Sequence, residues 1–332
     1  MSDRTPLWRT INPMVRDASS IVLGTHVNPD GDAIGSILGL GHSLRRRGKR
    51  VGLICPSPVP EKFAFLPDTQ AIAQEWPGWE PDLIVILDCS DRQRLAYLYS
   101  ESRFARVTTV NIDHHVTNER FATVNWVDPS MAATAEMLGT WFVEAGWSLD
   151  EPVASCLLTG LHTDSLGFRT PTTQPRTLRL AADLMEAGAA MSAIVEQLYD
   201  SKPRSLLRVW GMALANIHEE GPLVWAALTR DMLTQAGAED ESFNGIVGFM
   251  RSTVDVEVAV LFSEERDGRI RTEFRSKGHV NVAEIAYRLG GGGHPPAAGC
   301  SLPGPLAEAE RIVLAEVRKA VASHQSAVGS RQ

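Results

Sequence analysis

The run Leu83-Ile84-Val85-Ile86-Leu87 is apolar throughout and stops abruptly at Asp88. A strand with no polar alternation is buried on both faces, as in parallel sheets covered by helices. Similar runs occur at Ile21-Val22-Leu23, Val51-Gly52-Leu53-Ile54 and Val107-Thr108-Thr109-Val110-Asn111-Ile112. A helical pattern from about Ala33 to Arg47, closed by Gly48, separates the first two, so the chain opens as β-α-β. Further helices are predicted near Thr134 to Ala145, Val153 to Thr163 and Gln174 to Ala187. The fold class is α/β, with an amino-terminal, mainly parallel sheet flanked by helices.

A chain of 332 residues exceeds the usual size of one domain. The expected division is a first domain over 1–200, a linker over 201–217 and a smaller α/β domain over 218–332. The linker is a basic, Pro-containing helical stretch with Lys202-Pro203-Arg204 and Arg208. Beyond it come a strand at Leu223 to Leu228 and a helix at Ser242 to Arg251. A hairpin of Val256 to Phe262 with Ile270 to Phe274 turns around Asp267-Gly268. A helix from Val282 to Leu289, a glycine loop and a last helix near Leu306 to Ala322 complete the domain, and the tail after Ser323 is expected to fray.

Four scattered cysteines without a C-x-x-C pair, and a start lacking an export signal, favour a reduced, cytoplasmic protein. No apolar run is long enough to span a membrane. A net charge of −8 argues against coating long nucleic acid, which requires many Lys and Arg contacts to phosphate. A short anionic substrate is compatible with that charge if metal ions supply the positive potential.

The chemistry-bearing residues cluster just after the predicted strands, at the carboxyl edge where open α/β sheets gather ligands. They are His26 with Asp30-Gly31-Asp32, Asp88, and Asp113-His114-His115; Asp164 and the distant Gly290-Gly291-Gly292-Gly293-His294 join them. Carboxylates and imidazoles without a thiolate cluster suit Mn²⁺ or a similar ion in a catalytic rather than structural role. Each residue alone has a plainer reading. Asp30 or Asp32 could cap the helix near Ala33, Asp88 could be a turn residue and Asp164 a helix-end carboxylate. His162 reads as a core residue, and His42, His218 and His324 as surface or structural positions. The glycine run lets backbone N–H groups approach a phosphate, His294 adds a donor, and Arg275-Ser276-Lys277 on the preceding strand end offers a guanidinium fork. The plain alternative for Arg275 and Lys277 is a solvated strand end.

Taken in order, His26-x₃-Asp30-x-Asp32, Asp88, Asp113-His114-His115, Asp164 and Gly291-Gly292-Gly293-His294-x-x-Ala297-Ala298-Gly299 closely resemble the DHH/DHHA1 phosphoesterase family. The likeness covers nearly the whole chain and is greatest to the stand-alone nanoRNase type, oligoribonucleases that are also pAp phosphatases. It implies a hydrolase of phosphoric ester bonds with two Mn²⁺ per chain, Mg²⁺ or Co²⁺ being alternatives. The DHH domain would bind the metals and the DHHA1 domain the nucleotide, with the active site in the cleft between. By motif match, His26, Asp30 and Asp88 hold one ion, and Asp32, Asp88, His114 and Asp164 the other, with Asp88 bridging. Asp113 orients an imidazole and His115 faces the scissile phosphate. Arg275, Ser276, Lys277, Gly291, Gly292, Gly293 and His294 hold the substrate's terminal phosphate. Expected substrates are short oligonucleotides, pApA and pAp. Cyclic di-AMP cleavage, RecJ-like single-strand exonuclease activity and a non-catalytic nucleotide-binding regulator are the alternatives, the last opposed by the complete ligand set. The family also implies a homodimer through the DHH domain.

Overall fold

The four apolar runs lie side by side in a computed structural model, which describes residues 7–200, 203–238 and 245–329. The chain divides into two units, Met1–Ser201 and Lys202–Gln332. In the first, β1 (Ser20–Gly24), β2 (Arg50–Ile54), β3 (Ile72–Ala73), β4 (Leu83–Leu87), β5 (Thr108–Asp113) and β6 (Val124–Val127) form one sheet in the order β3-β2-β1-β4-β5-β6. Every pairing is parallel. The chain runs outward from β1 to β3, then returns to β4 on the other side of β1. The order therefore reverses between β1 and β4, which opens a crevice at their carboxyl ends.

The pleat divides each strand between two apolar layers. Leu83, Val85 and Leu87 enter the larger core, whereas Ile84 and Ile86 join Val22, Leu95 and Leu98 in the smaller one. The larger core is covered by α1 (Trp8–Asp17), α2 (Gly31–Arg46), α4 (Thr134–Glu144), α5 (Glu151–Asp164), α6 (Pro175–Glu186) and α7 (Met191–Tyr199); α3 (Glu101–Phe104) precedes β5. Gly31, Gly35 and Gly39 stand at four-residue intervals on α2 and let it lie directly on α5. A Cβ at Gly35 would collide with the Cys156 carbonyl, and one at Gly31 with the Thr163 side chain. This close crossing brings the start of α2, with Asp30 and Asp32, to the end of α5, where Asp164 stands.

In the second unit, β7 (His218–Glu220), β8 (Leu223–Leu228), β9 (Val258–Glu264), β10 (Arg269–Ser276), β11 (Gly292–His294) and β12 (Ala297–Pro303) form a mixed sheet in the order β11-β12-β10-β9-β8-β7. Helices α11 (Val282–Arg288) and α12 (Leu306–Gly329) contribute to one core, and α8 (Arg204–Ala215), α9 (Arg230–Ala236) and α10 (Ile246–Arg251) to the other. The Asp267-Gly268 hairpin joins antiparallel β9 and β10, with Gly268 at φ 80°.

Several local expectations are revised. The segment expected as a linker contains α8, whose Val209 and Ala213 are fully buried in the second unit's core; Lys202 lies outside the described residues. The helix expected from Ser242 is described from Ile246, with 242–244 also outside. The glycine loop is partly a strand, because β11 pairs with β12, and α12 continues past Ser323 to Gly329. Among the described residues, no helix is long and apolar enough to cross a membrane.

Candidate metal and phosphate site

Asp30 is the N-cap of α2, its Oδ1 accepting the N–H groups of Asp32 (3.1 Å) and Ala33 (3.0 Å). The plain capping reading is thus correct for Asp30, yet it occupies only one carboxylate oxygen. Asp32 caps a different helix. Fully buried, it accepts from Thr134 N at 2.6 Å and Ala135 N at 2.8 Å at the start of α4, and from Ser36 Oγ at 3.2 Å. Asp88 follows β4 in the left-handed region at φ 56°, uncommon for a residue with a Cβ and frequent at functional turns. Its Oδ1 accepts from Thr134 Oγ1 at 3.2 Å, so Thr134 ties two carboxylates together. His26 follows β1 with Nδ1 2.8 Å from the Val27 carbonyl and Nε2 3.6 Å from Asp88 Oδ2. His114 follows β5, with Nδ1 3.3 Å from the Met131 carbonyl. Its Nε2 lies 3.2 Å from Asp164, 3.7 Å from Asp88 and 3.9 Å from Asp32.

Ligand atoms come within 4.8 Å of one another in three groups: His26, Asp30 and Asp88; Asp32, His114 and Asp164; and Asp88, His114 and His115. The first brings together the three residues expected to hold one ion, and the second three of the four expected to hold the other; Asp88, the fourth, stands 3.7 Å from His114 Nε2. His26 Nε2, Asp88 Oδ2 and His114 Nε2 are buried and have no hydrogen-bond partner. Leaving such atoms unmatched costs about 1–3 kcal/mol each. Burial, reinforced by Asp32, Asp30 and Asp164, drives the Asp88 carboxyl well above its usual range. Burial, reinforced by Asp32, Asp30 and Asp113, pushes Asp164 up to about 8, and burial raises Asp32. His26 is shifted the other way, first by burial and then by the Arg94 charge, which keeps its imidazole neutral. Mutually repelling acids beside unpartnered imidazole nitrogens make a donor set that fits divalent cations.

Asp113 belongs to none of these groups. It is fully buried at the end of β5, and its Oδ1 is 2.7 Å from His115 Nδ1. Asn118 Nδ2 donates to the other oxygen at 2.6 Å. Burial opposes charge on both partners, yet their hydrogen bond and attraction raise the His115 pKa and lower that of Asp113. The imidazole that Asp113 orients is therefore His115. Sequence reasoning missed Asn118, Thr134, Arg94 and Glu136. Glu136, fully buried, accepts from Ala132 N at 2.6 Å and Thr177 Oγ1 at 2.7 Å, and so steadies the loop that presents Met131 to His114. No local signal marks these residues, since most of their partners lie on other elements.

In the second unit, Arg275, Ala297 and His294 occupy one cross-strand row of β10, β12 and β11. Side chains in such a row share a face, so Arg275 and His294 stand about 10 Å apart across the small Ala297. A hollow of about 440 Å³ beside Arg275 is lined by Arg271, Glu273 and Gly299, among others. Ser276 is buried, with Oγ near the Pro295 carbonyl. Lys277 Nζ donates to the carbonyls of Thr253 (2.7 Å) and Val254 (2.9 Å), a local tether. A Cβ at Gly291 would overlap the Gly299 carbonyl and one at Gly293 the Ala298 backbone, which accounts for two of the glycines by packing. Gly292 meets nothing and is exposed.

The sequence profile of the DHH family, N-terminal domain, matches residues 20–161, and that of the DHHA1 domain residues 222–323. The Bifunctional oligoribonuclease and PAP phosphatase NrnA of Thermus thermophilus is 37% identical over 303 residues, 90% of this chain and 89% of that protein. The protein of the same name from Bacillus subtilis is 28% identical over 327 residues, 97% of this chain and 100% of its own. The Cyclic-di-AMP phosphodiesterase PdeA of Listeria monocytogenes is 24% identical over 339 residues, 93% of this chain but 49% of that protein. An exopolyphosphatase-related protein from Bacteroides fragilis has a similar crystal structure, with a TM-score of 0.88 at 25% identity, covering 96% of this chain and 97% of that one.

Proposed function

The chain belongs to the DHH/DHHA1 phosphoesterase family and hydrolyses phosphoric ester bonds; from that premise we propose that it degrades short oligoribonucleotides to mononucleotides and converts pAp to AMP, dependent on Mn²⁺. The observation that carries this reading is the pair of carboxylate–imidazole groups adjoining at Asp88, with buried nitrogens left unpartnered.

His26, Asp30 and Asp88 would hold one ion, and Asp32, His114 and Asp164, with Asp88, the other. Bound there, the ions supply Lewis-acid stabilisation of phosphoryl charge and a water acidified enough to attack phosphorus. His115 supplies what a cation site does not, a directed proton. Asp113 and Asn118 hold its ring with Nδ1–H donating to the carboxylate. Nε2–H is then the atom that donates to a phosphoryl oxygen or to the departing O3′. The raised pKa of His115, sustained by Asp113 against burial, keeps that proton available.

Arg275 and His294 form the anion-binding row of the DHHA1 domain and take the substrate's non-reacting phosphate, which favours very short chains. Base identity plays little part. The net charge of −8 fits a small substrate rather than long single strands. Linear and cyclic dinucleotides share the same phosphates, so a dinucleotide phosphodiesterase is a variant of this activity.

Chromatography of products from pAp, pApA, cyclic di-AMP and RNAs of graded length, with Mn²⁺ and a His114→Ala control, tests the proposal. Mononucleotide released fastest from the shortest linear substrates, and lost in the control, is expected. Preference for long strands, or equal turnover by the control, would overturn it.

A further inference from the structure

Arg94 lies in the 3₁₀ segment Gln93–Leu98 that follows β4, and its backbone is fixed from both sides. Its N–H donates to Asp91 Oδ1 at 2.9 Å and its carbonyl accepts from Val27 N at 2.9 Å, while Leu95 and Leu98 are buried beneath it. The residue thus links the loops after β1 and β4, the two strands at the crevice. Its half-buried guanidinium places Nη2 2.7 Å from His26 Nδ1. Within the amino-terminal unit, among the described residues, no other Lys or Arg side chain hydrogen-bonds to the carboxylate–imidazole cluster.

The same Nδ1 is 2.8 Å from the Val27 carbonyl, and it cannot satisfy both neighbours. If it accepts from Arg94, the ring proton sits on Nε2, facing Asp88 Oδ2 at 3.6 Å. If Nε2 instead offers its lone pair to a cation, the proton must reside on Nδ1, where it donates to Val27. Arg94 then faces an N–H with its own N–H, a contact with no hydrogen bond in it. Loading His26 with a metal therefore expels the guanidinium from its partner and leaves a fork of donors at the edge of the metal cluster.

We propose that Arg94 is a substrate-contacting residue, whose guanidinium leaves His26 when the metal site fills and binds an oxygen of the phosphoryl group at the metals. This rests on the phosphoester reading of the same site and adds to it a cation from the DHH domain itself. The phosphate subsite is complete only in the metal-loaded protein, because before loading its donor is engaged with the imidazole. A guanidinium suits this role better than an ammonium, since it can grip two oxygens in one plane.

The test compares wild type with Arg94→Met and Arg94→Lys, both of which preserve the backbone contacts of the position. Calorimetry measures Mn²⁺ binding first, then inorganic phosphate and AMP binding to the Mn²⁺-loaded proteins. In Arg94→Met, phosphate and AMP affinity is expected to fall roughly ten- to a hundredfold, the loss of a charge-assisted hydrogen bond. Arg94→Lys should lie between, and Mn²⁺ affinity should be unchanged or tighter in both. Phosphate affinity unaltered in Arg94→Met overturns the proposal. So does a fall in Mn²⁺ affinity that accounts for the whole effect, which would make Arg94 a support of His26. If wild type turns over neither pAp nor a dinucleotide, the phosphoester reading fails separately, and the phosphate titration still decides the role of Arg94.

Discussion

Glu136→Ala should disable the metal centre without touching a metal ligand. Glu136 is fully buried in the first turn of α4, and its carboxylate receives Ala132 N, Thr177 Oγ1 and, at 3.4 Å, Arg176 Nε. Truncation leaves two buried donors without an acceptor, at about 1–3 kcal/mol each, or roughly 2–5 kcal/mol together. Arg176, 43% exposed, can turn to solvent and adds little. In a domain of this size that corresponds to a fall in melting temperature of roughly 5–15 °C. The loop 131–133 then loses its anchor, and with it the Met131 carbonyl that orients His114. Loss of such a supporting contact typically weakens metal binding about 10–100-fold. Glu136→Gln retains an acceptor for Ala132 N, and the Thr177 hydroxyl can turn to suit, so it should stay within about 1 kcal/mol of wild type. Calorimetric melts in chelator, followed by Mn²⁺ titration, measure both effects. An alanine variant that melts within a degree of wild type and binds Mn²⁺ equally well would refute this reasoning.

Three further predictions concern the site directly. The raised pKa values of Asp88, Asp32 and Asp164, the last about 8, mean that these three groups contribute stability to the metal-free fold that is fully present below the unfolded carboxyl pKa and is lost as pH rises toward 8. Melting in chelator should therefore fall from pH 5 to pH 8, and Mn²⁺ should restore it; a flat profile in chelator would contradict the repulsion argument. His115→Gln should lower kcat about 10²–10⁴-fold with Mn²⁺ affinity retained, whereas lost affinity would make His115 a ligand instead of a proton donor. Gly291→Ala should push β11 off β12, raising KM for short substrates while Mn²⁺ stoichiometry is preserved; an unchanged KM would remove β11 from the phosphate site.

The parallel sheet was legible because its strands are buried on both faces and read as unbroken apolar runs. Placing His26, Asp88 and the Asp113-His114-His115 triplet at strand ends then needed only the rule that such sheets gather ligands at their carboxyl edge. That Asp30 and Asp32 cap two different helices was not legible. One caps its own helix and the other caps α4, and only the crossing of α2 over α5 and the placement of α4 decide which. The short strands β3, β6, β7 and β11 escaped notice because two to four residues carry no periodicity. Thr134, Asn118 and Glu136 were invisible for a different reason. Each is an ordinary polar residue whose importance arises from its hydrogen-bond partners around the site, and those partners are brought together only by the tertiary fold.

Anomalous diffraction at the manganese edge from crystals soaked in Mn²⁺ tests the central claim most directly. Two peaks are expected on either side of Asp88, one against His26 and Asp30 and the other against Asp32, His114 and Asp164. A single peak, or peaks away from Asp88, would contradict it.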